Sequence, residues 1–132
     1  MIAVNDVILI VEDNERNRRL VRDLLQVSGF STIEACDART GLALAAQNVP
    51  ALILMDIQLP DLDGVSALRR LRADSRTAGI PVVAVTAFAM STDRQRLLDA
   101  GFDAYVEKPI DIKTFPAQVR ALAGRRVAGG AS

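Results

Sequence analysis

The chain has 132 residues, half of them apolar and a quarter charged, with sixteen basic side chains balancing sixteen acidic ones. That fits one soluble domain with one core, and leaves no net field to draw it to nucleic acid or to an anionic membrane. One cysteine, Cys36, and no histidine exclude an internal disulfide, a structural zinc site and any triad built on histidine, so the available chemistry runs on carboxylates, hydroxyls and lysine.

The first six residues lack the basic and apolar regions of a signal peptide, no apolar run approaches the ~20 residues of a membrane span, and the lone cysteine suits a reducing cytoplasm. Val7 to Val11 reads as a buried strand, ended by Glu12-Asp13-Asn14. Helical spacing follows, with Leu20, Val21, Leu24, Leu25 and Val27 as an apolar stripe, Arg16, Arg18, Arg19 and Arg22 largely off it, and Gly29 closing the helix after Ser28. Phe30 to Ala35 is a short strand, and Asp37 caps a second helix whose apolar face is Leu42, Ala45 and Ala46, with Val49 beyond. After Pro50, Ala51 to Asp56 is apolar until it ends in a carboxylate, the pattern of a strand buried on both faces. The turn residues after it lead to Gly64, which opens a helix carrying Val65, Leu68 and Leu71 and ending near Asp74. Gly79-Ile80-Pro81 is a turn and Val82 to Thr86 a fourth strand. Ser91 caps a helix from Thr92 to Ala100, closed by Gly101, and Ala104 to Glu107 is the last strand, followed by Lys108-Pro109. A fifth helix starts near Phe115 with Thr114 as its cap, because Pro116 is tolerated only in a first turn. It ends near Leu122.

Strict strand–helix alternation with apolar strands predicts an α/β fold: a five-stranded parallel sheet, doubly wound, in the flavodoxin-like order 2-1-3-4-5. The expected organisation is one module over 6–123 between a flexible start, 1–5, and a flexible tail, 124–132. In that order the first and third strands adjoin at the switch point, so Glu12, Asp13 and Asp56 converge on one crevice flanked by Thr86 and Lys108. Read singly, each residue has an ordinary explanation: an acid favouring the next helix, a strand threonine, a solvated lysine. Together they specify a site. Two carboxylates about 4 Å apart repel by roughly 4 kcal/mol at an effective dielectric of 20, and three by on the order of 10 kcal/mol. Lys108 offsets part of this; a divalent cation offsets more, and hard oxygen donors suit Mg²⁺. The expected chemistry is a carboxylate nucleophile taking a phosphoryl group, with Lys108 and Thr86 on its oxygens.

These residues carry a resemblance. Ile10-Val11-Glu12-Asp13-Asn14, Leu54 through Gly64, Val85-Thr86-Ala87 and Lys108-Pro109 are similar, in order and spacing, to the motifs of CheY-like receiver domains of two-component response regulators. Ile53 to Pro60 and Pro81 to Met90 look most like a cell-division regulator of that family. The resemblance implies that Asp56 takes phosphate from a phosphohistidine on a histidine kinase or histidine phosphotransfer protein. It implies Mg²⁺ (or Mn²⁺) held by Asp13, Asp56 and the backbone carbonyl of Gln58, with Glu12 acting partly through water. It implies phosphate contacts from Thr86, Ala87 and Lys108, a switch pair of Thr86 and Tyr105, and a cis peptide before Pro109. The chain would then signal in the cytoplasm to a separate target protein, with no direct contact to nucleic acid or membrane.

Three rivals differ in a single feature each. A haloacid-dehalogenase-like phosphatase would need a second aspartate at position 58, where this chain has Gln58. A flavodoxin-like cofactor binder would need a Gly/Ser/Thr-rich loop where Glu12-Asp13-Asn14 stands. A degenerate receiver serving only as a docking module would lack part of a motif set that is complete here.

Overall fold

The computed structural model describes residues 7–87 and 91–123, without the side chains of 91–93. The expected flexible start and tail, the proposed cap from the Ser91 side chain and the end of the 81–90 stretch lie outside the described residues. Ten elements alternate as predicted: β1 (Val7–Val11), α1 (Glu15–Val27), β2 (Ser31–Ala35), α2 (Ala38–Asn48), β3 (Leu52–Asp56), α3 (Gly64–Ala73), β4 (Val82–Thr86), α4 (Ser91–Ala100), β5 (Ala104–Glu107) and α5 (Phe115–Leu122). All strand pairs are parallel and the order is β2-β1-β3-β4-β5, which places β1 and β3 side by side at the centre.

Alternation along each strand divides the core into two layers. Leu9, Val11, Ile53, Met55, Val82 and Ala84 face α2, α3 and α4 through Ala38, Ala45, Leu68, Leu71 and Leu97. Ile8, Ile10, Leu52, Leu54, Val83 and Val85 face α1 and α5 through Val21, Leu25, Phe115 and Val119. The continuous apolar runs of β3 and β4 have this cause: every residue in them is buried, against one layer or the other. Each fully buried leucine or isoleucine contributes roughly 1.5–3 kcal/mol.

The helix ends follow local chemistry. Asn14, Asp37 and Asp63 cap α1, α2 and α3 by accepting from the backbone N–H groups of Asn17, Thr40 and Ser66. Gly29 and Gly101 close α1 and α4 with φ of 98° and 113°. Thr114 precedes α5 as expected, yet without a side-chain cap; the Phe115 N–H goes to the Asp111 carbonyl, so the chain is already turning before the helix begins.

Two readings of packing need correction. On α1, Leu20 and Val27 are 42% and 88% exposed, and the buried face is Val21 and Leu25 with Leu24 beside them. On α2, Ala45 is buried and Leu42 and Val49 pack half-buried against the core as expected, but Ala38 and Gly41 also meet the sheet and Ala46 is only half-buried. The helix lies too close to β1 for large side chains at the contact: a Cβ built on Gly41 would sit 2.8 Å from a Val11 methyl. The expected turn at Gly79-Ile80-Pro81 is present, with the Ile80 side chain fully buried in the core.

Candidate phosphorylation site

Asp56 ends β3 with its side chain almost fully buried at the sheet's carboxyl edge. Two contacts fix its carboxylate. The Gln58 N–H donates to Oδ1 at 2.9 Å, and Lys108 Nζ reaches Oδ2 at 3.0 Å. Lys108 is itself placed by β5: its backbone N–H donates to the Thr86 carbonyl at 2.8 Å, and its peptide bond to Pro109 is cis.

Glu12, next after β1, is buried beside it. The same Lys108 Nζ lies 2.8 Å from Glu12 Oε1, the Asn14 N–H donates to Oε2 at 3.2 Å, and the Glu12 N–H donates to the Ala35 carbonyl on β2. Asp13 is exposed. One carboxylate oxygen from each of Glu12, Asp13 and Asp56 lies within 4.8 Å of the others. The sheet thus brings together the three acids and Lys108, with Thr86 buried at the end of β4 opposite Glu107. Ala87 follows it as an exposed bend, and Gln58 is exposed on the loop after β3. Tyr105 stands opposite Ala84, two residues back from Thr86 on the same face of the sheet, with the Arg94 guanidinium 5.4 Å over its ring.

The electrostatics matches this crowding. Burial, and then the neighbouring Asp56 carboxylate, push the Glu12 carboxyl up from 4.5 to about 7 against the opposing pull of Lys108. Burial draws the Lys108 ammonium down, but its hydrogen bonds to Glu12 and Asp56 outweigh that and hold it above its ordinary value. One lysine leaves the acids incompletely neutralised. Two buried carboxylates and one open to solvent form a hard oxygen donor set that fits a Mg²⁺-sized cation retaining part of its water shell.

The arginines of α1 are less uniform than their spacing suggested. Arg18 donates to the Glu12 carbonyl at 2.9 Å and pairs with Glu34 at 3.3 Å, so it buttresses the β1–α1 loop from within. Arg22 contacts Asp23 and Glu34, and Arg19 pairs back to Glu15 at 2.7 Å rather than forward to Asp23. Contacts from β2 and from the loop before α1 make Arg18 structural, which no spacing within α1 reveals. Asp61 was similarly missed: it reads as a turn residue but accepts from two backbone N–H groups of α2.

Comparison with known proteins adds the decisive observation: residues 8–120 match the family model of the response regulator receiver domain. The chain belongs to the response regulator receiver family. This receiver is 44% identical over 117 residues to the polar-differentiation response regulator DivK of Brucella anthropi, covering 89% of this chain and 95% of that one. DivK of Brucella ovis matches to the same extent. Among solved structures, the receiver domain of a sensor histidine kinase from Pseudomonas aeruginosa superposes with a TM-score of 0.82 at 32% identity, over 90% of this receiver and 98% of that chain; it is described with a magnesium ion coordinated in the active-site cleft. The chemotaxis protein CheY4 of Vibrio cholerae, at 23% identity and a TM-score of 0.83 over 91% and 99% of the two chains, shares the fold. The predicted flavodoxin-like architecture is therefore the observed one, and the dehalogenase-like alternative has no support. No described helix is long and apolar enough to cross a membrane.

Proposed function

We propose that this receiver is a phosphoacceptor in a two-component relay, with Asp56 as the nucleophile. The observation that carries the reading is the hold on Asp56: Oδ1 on the Gln58 N–H, Oδ2 on Lys108, and two further acids within 4.8 Å. In the transfer, an Asp56 oxygen attacks the phosphorus of a phosphohistidine, the P–N bond breaks and the electron pair leaves with the imidazole nitrogen. Lys108 balances charge on the transferred group, and the Thr86 hydroxyl and Ala87 N–H supply hydrogen bonds to its oxygens. Mg²⁺ bound by Glu12, Asp13, Asp56 and the Gln58 carbonyl would supply further positive charge there.

The donor is a histidine kinase or histidine phosphotransfer protein. Leu20 and Ile110, with Asn17 and Pro109, line a depression beside Lys108, which gives the outward turn of Leu20 a use as a docking contact. Arg16 and Arg19, next in sequence to Asn17 and Leu20, are exposed on α1. The output is the face formed by α4, β5 and α5, read by a separate protein in the cytoplasm. Phosphate on Asp56 draws Thr86 toward it, and Tyr105 moves on the same face of the sheet.

Incubation with a small phosphodonor and Mg²⁺ is expected to add one phosphoryl mass to the wild type and none to Asp56→Asn. Equal mass gain in the variant refutes the assignment. A docking module without phosphorylation would show no gain in either.

A further inference from the structure

The loop from Ile57 to Asp63 carries Gln58, and it is held at more points than its turn-rich sequence requires. Its base is closed by the Gly64 N–H donating to the Ile57 carbonyl at 3.0 Å. The approach is so close that a Cβ on Gly64 would stand 3.0 Å from the Ile57 Cα. Leu59 and Leu62 pack inward against the core. Its outer edge is held from a distant part of the chain: Asp61 Oδ1 accepts from the Ala38 N–H and Oδ2 from the Arg39 N–H, each at 2.9 Å, with the Arg39 guanidinium 3.8 Å away.

α2 does not need Asp61 for an ordinary cap. Asp37 already fills that role on the Thr40 N–H at 2.7 Å. The first turn of α2 therefore receives two carboxylates, one local and one from the loop that follows the phosphoacceptor strand. α2 in turn packs on β1 through Gly41 and Val11, and Val11 is followed by Glu12. Asp61 thus joins the Gln58 loop to the element packed behind the acids of the β1–α1 loop. The Ala38 N–H bond, above all, holds the Asp61 carboxyl below its usual range, so the bridge is charged at neutral pH.

We propose that Asp61 is a positioning residue for the phosphorylation site, tethering the 57–63 loop to α2 so that the Gln58 backbone stays aligned with Asp56, Glu12 and Asp13. It touches neither phosphate nor metal; it acts through Gln58, as outer hydrogen-bond partners orient ligands at metal sites. The inference rests on the proposed cation site.

The test compares Asp61→Ala with Asp37→Ala, which removes the local cap of the same helix and leaves the loop tether in place. Two readouts are taken on the full chain: Mg²⁺ affinity by calorimetry, and amide hydrogen exchange of residues 57–63 without metal. Asp61→Ala is expected to speed exchange in the loop and weaken Mg²⁺ binding on the order of 10-fold. Asp61→Asn, which keeps one of the two oxygen acceptors and sets an NH2 against the other N–H, should recover only part of both. Asp37→Ala should lower thermal stability yet leave Mg²⁺ affinity within about 2-fold of wild type, well short of the loss expected for the tether. Unchanged Mg²⁺ affinity in Asp61→Ala, or equal loss in both variants, overturns the positioning role. Absence of Mg²⁺ binding by the wild type overturns the cation site and the role with it, and is distinguished because loop exchange still reports the tether.

Discussion

Replacing Gly41 by alanine sets two opposing effects against each other at a position one layer beneath the site. In a helix interior, alanine is favoured over glycine by up to about 1 kcal/mol. Here the added Cβ would lie 2.8 Å and 3.2 Å from the two methyls of Val11. Rotation about χ1 gives no escape, since both methyls face the helix and Val11 is 1% exposed in a central strand. Overpacking of this kind typically costs 1–3 kcal/mol, so the steric term wins by up to about 2 kcal/mol. At about 2.1 cal/mol/K per residue the unfolding entropy of this chain is about 0.28 kcal/mol/K, and the melting temperature should fall by up to about 7 °C. Thermal unfolding followed by circular dichroism measures it. A double-mutant cycle with Val11→Ala isolates the cause, because removing the methyls leaves room for the new Cβ and the two changes should compensate by about 1 kcal/mol. An alanine variant more stable than wild type, or an additive cycle, would refute the reasoning.

Other consequences can be measured directly. Arg72 on α3 donates to the Ala78 and Ile80 carbonyls at 3.1 and 2.6 Å and to Asp103 at 3.0 Å, tying together the loops that precede β4 and β5. Arg72→Ala should cost about 2–3 kcal/mol in urea unfolding, and Arg72→Lys should restore little because a single ammonium cannot span these acceptors; full rescue by lysine would contradict this. Because the Glu12 carboxyl is raised from 4.5 to about 7, the folded metal-free protein binds that proton more tightly than the unfolded chain. Its contribution is therefore present below pH 4.5 and lost as pH rises through about 7. The loss is at most about 3 kcal/mol, and the difference in stability between wild type and Glu12→Gln across that window should report it. Equal pH profiles would remove Glu12 as the source. Thr86→Ala should still accept phosphate at Asp56 while losing the coupled amide shifts in α4 and β5, read by NMR with a beryllofluoride mimic; wild-type-sized shifts would sink the Thr86–Tyr105 coupling.

The order of elements was legible because it depends on local chemistry. Apolar runs of strand length, helix-period stripes and capping side chains act over a few residues, so Val7–Val11, Leu52–Asp56 and Val82–Thr86 are visible in the chain itself. Strict alternation then left a parallel sheet, and the sheet's neighbours implied that Glu12, Asp13, Asp56 and Lys108 would meet, as they do. What only the tertiary structure decided is where each side chain's partner comes from. Periodicity assigned Leu20 and Val27 to the core face of α1, but a stripe wider than the contact leaves its edges in solvent. Arg18 looked like a surface charge until β2 supplied Glu34 and the β1–α1 loop supplied the Glu12 carbonyl. Asp61 looked like a turn residue until α2, 23 residues earlier, presented the N–H groups of Ala38 and Arg39. A hydrogen bond between distant residues costs chain entropy that neither residue's neighbours record, so no local pattern announces it. Local propensity placed the elements; the partners that orient the site's loops came from packing.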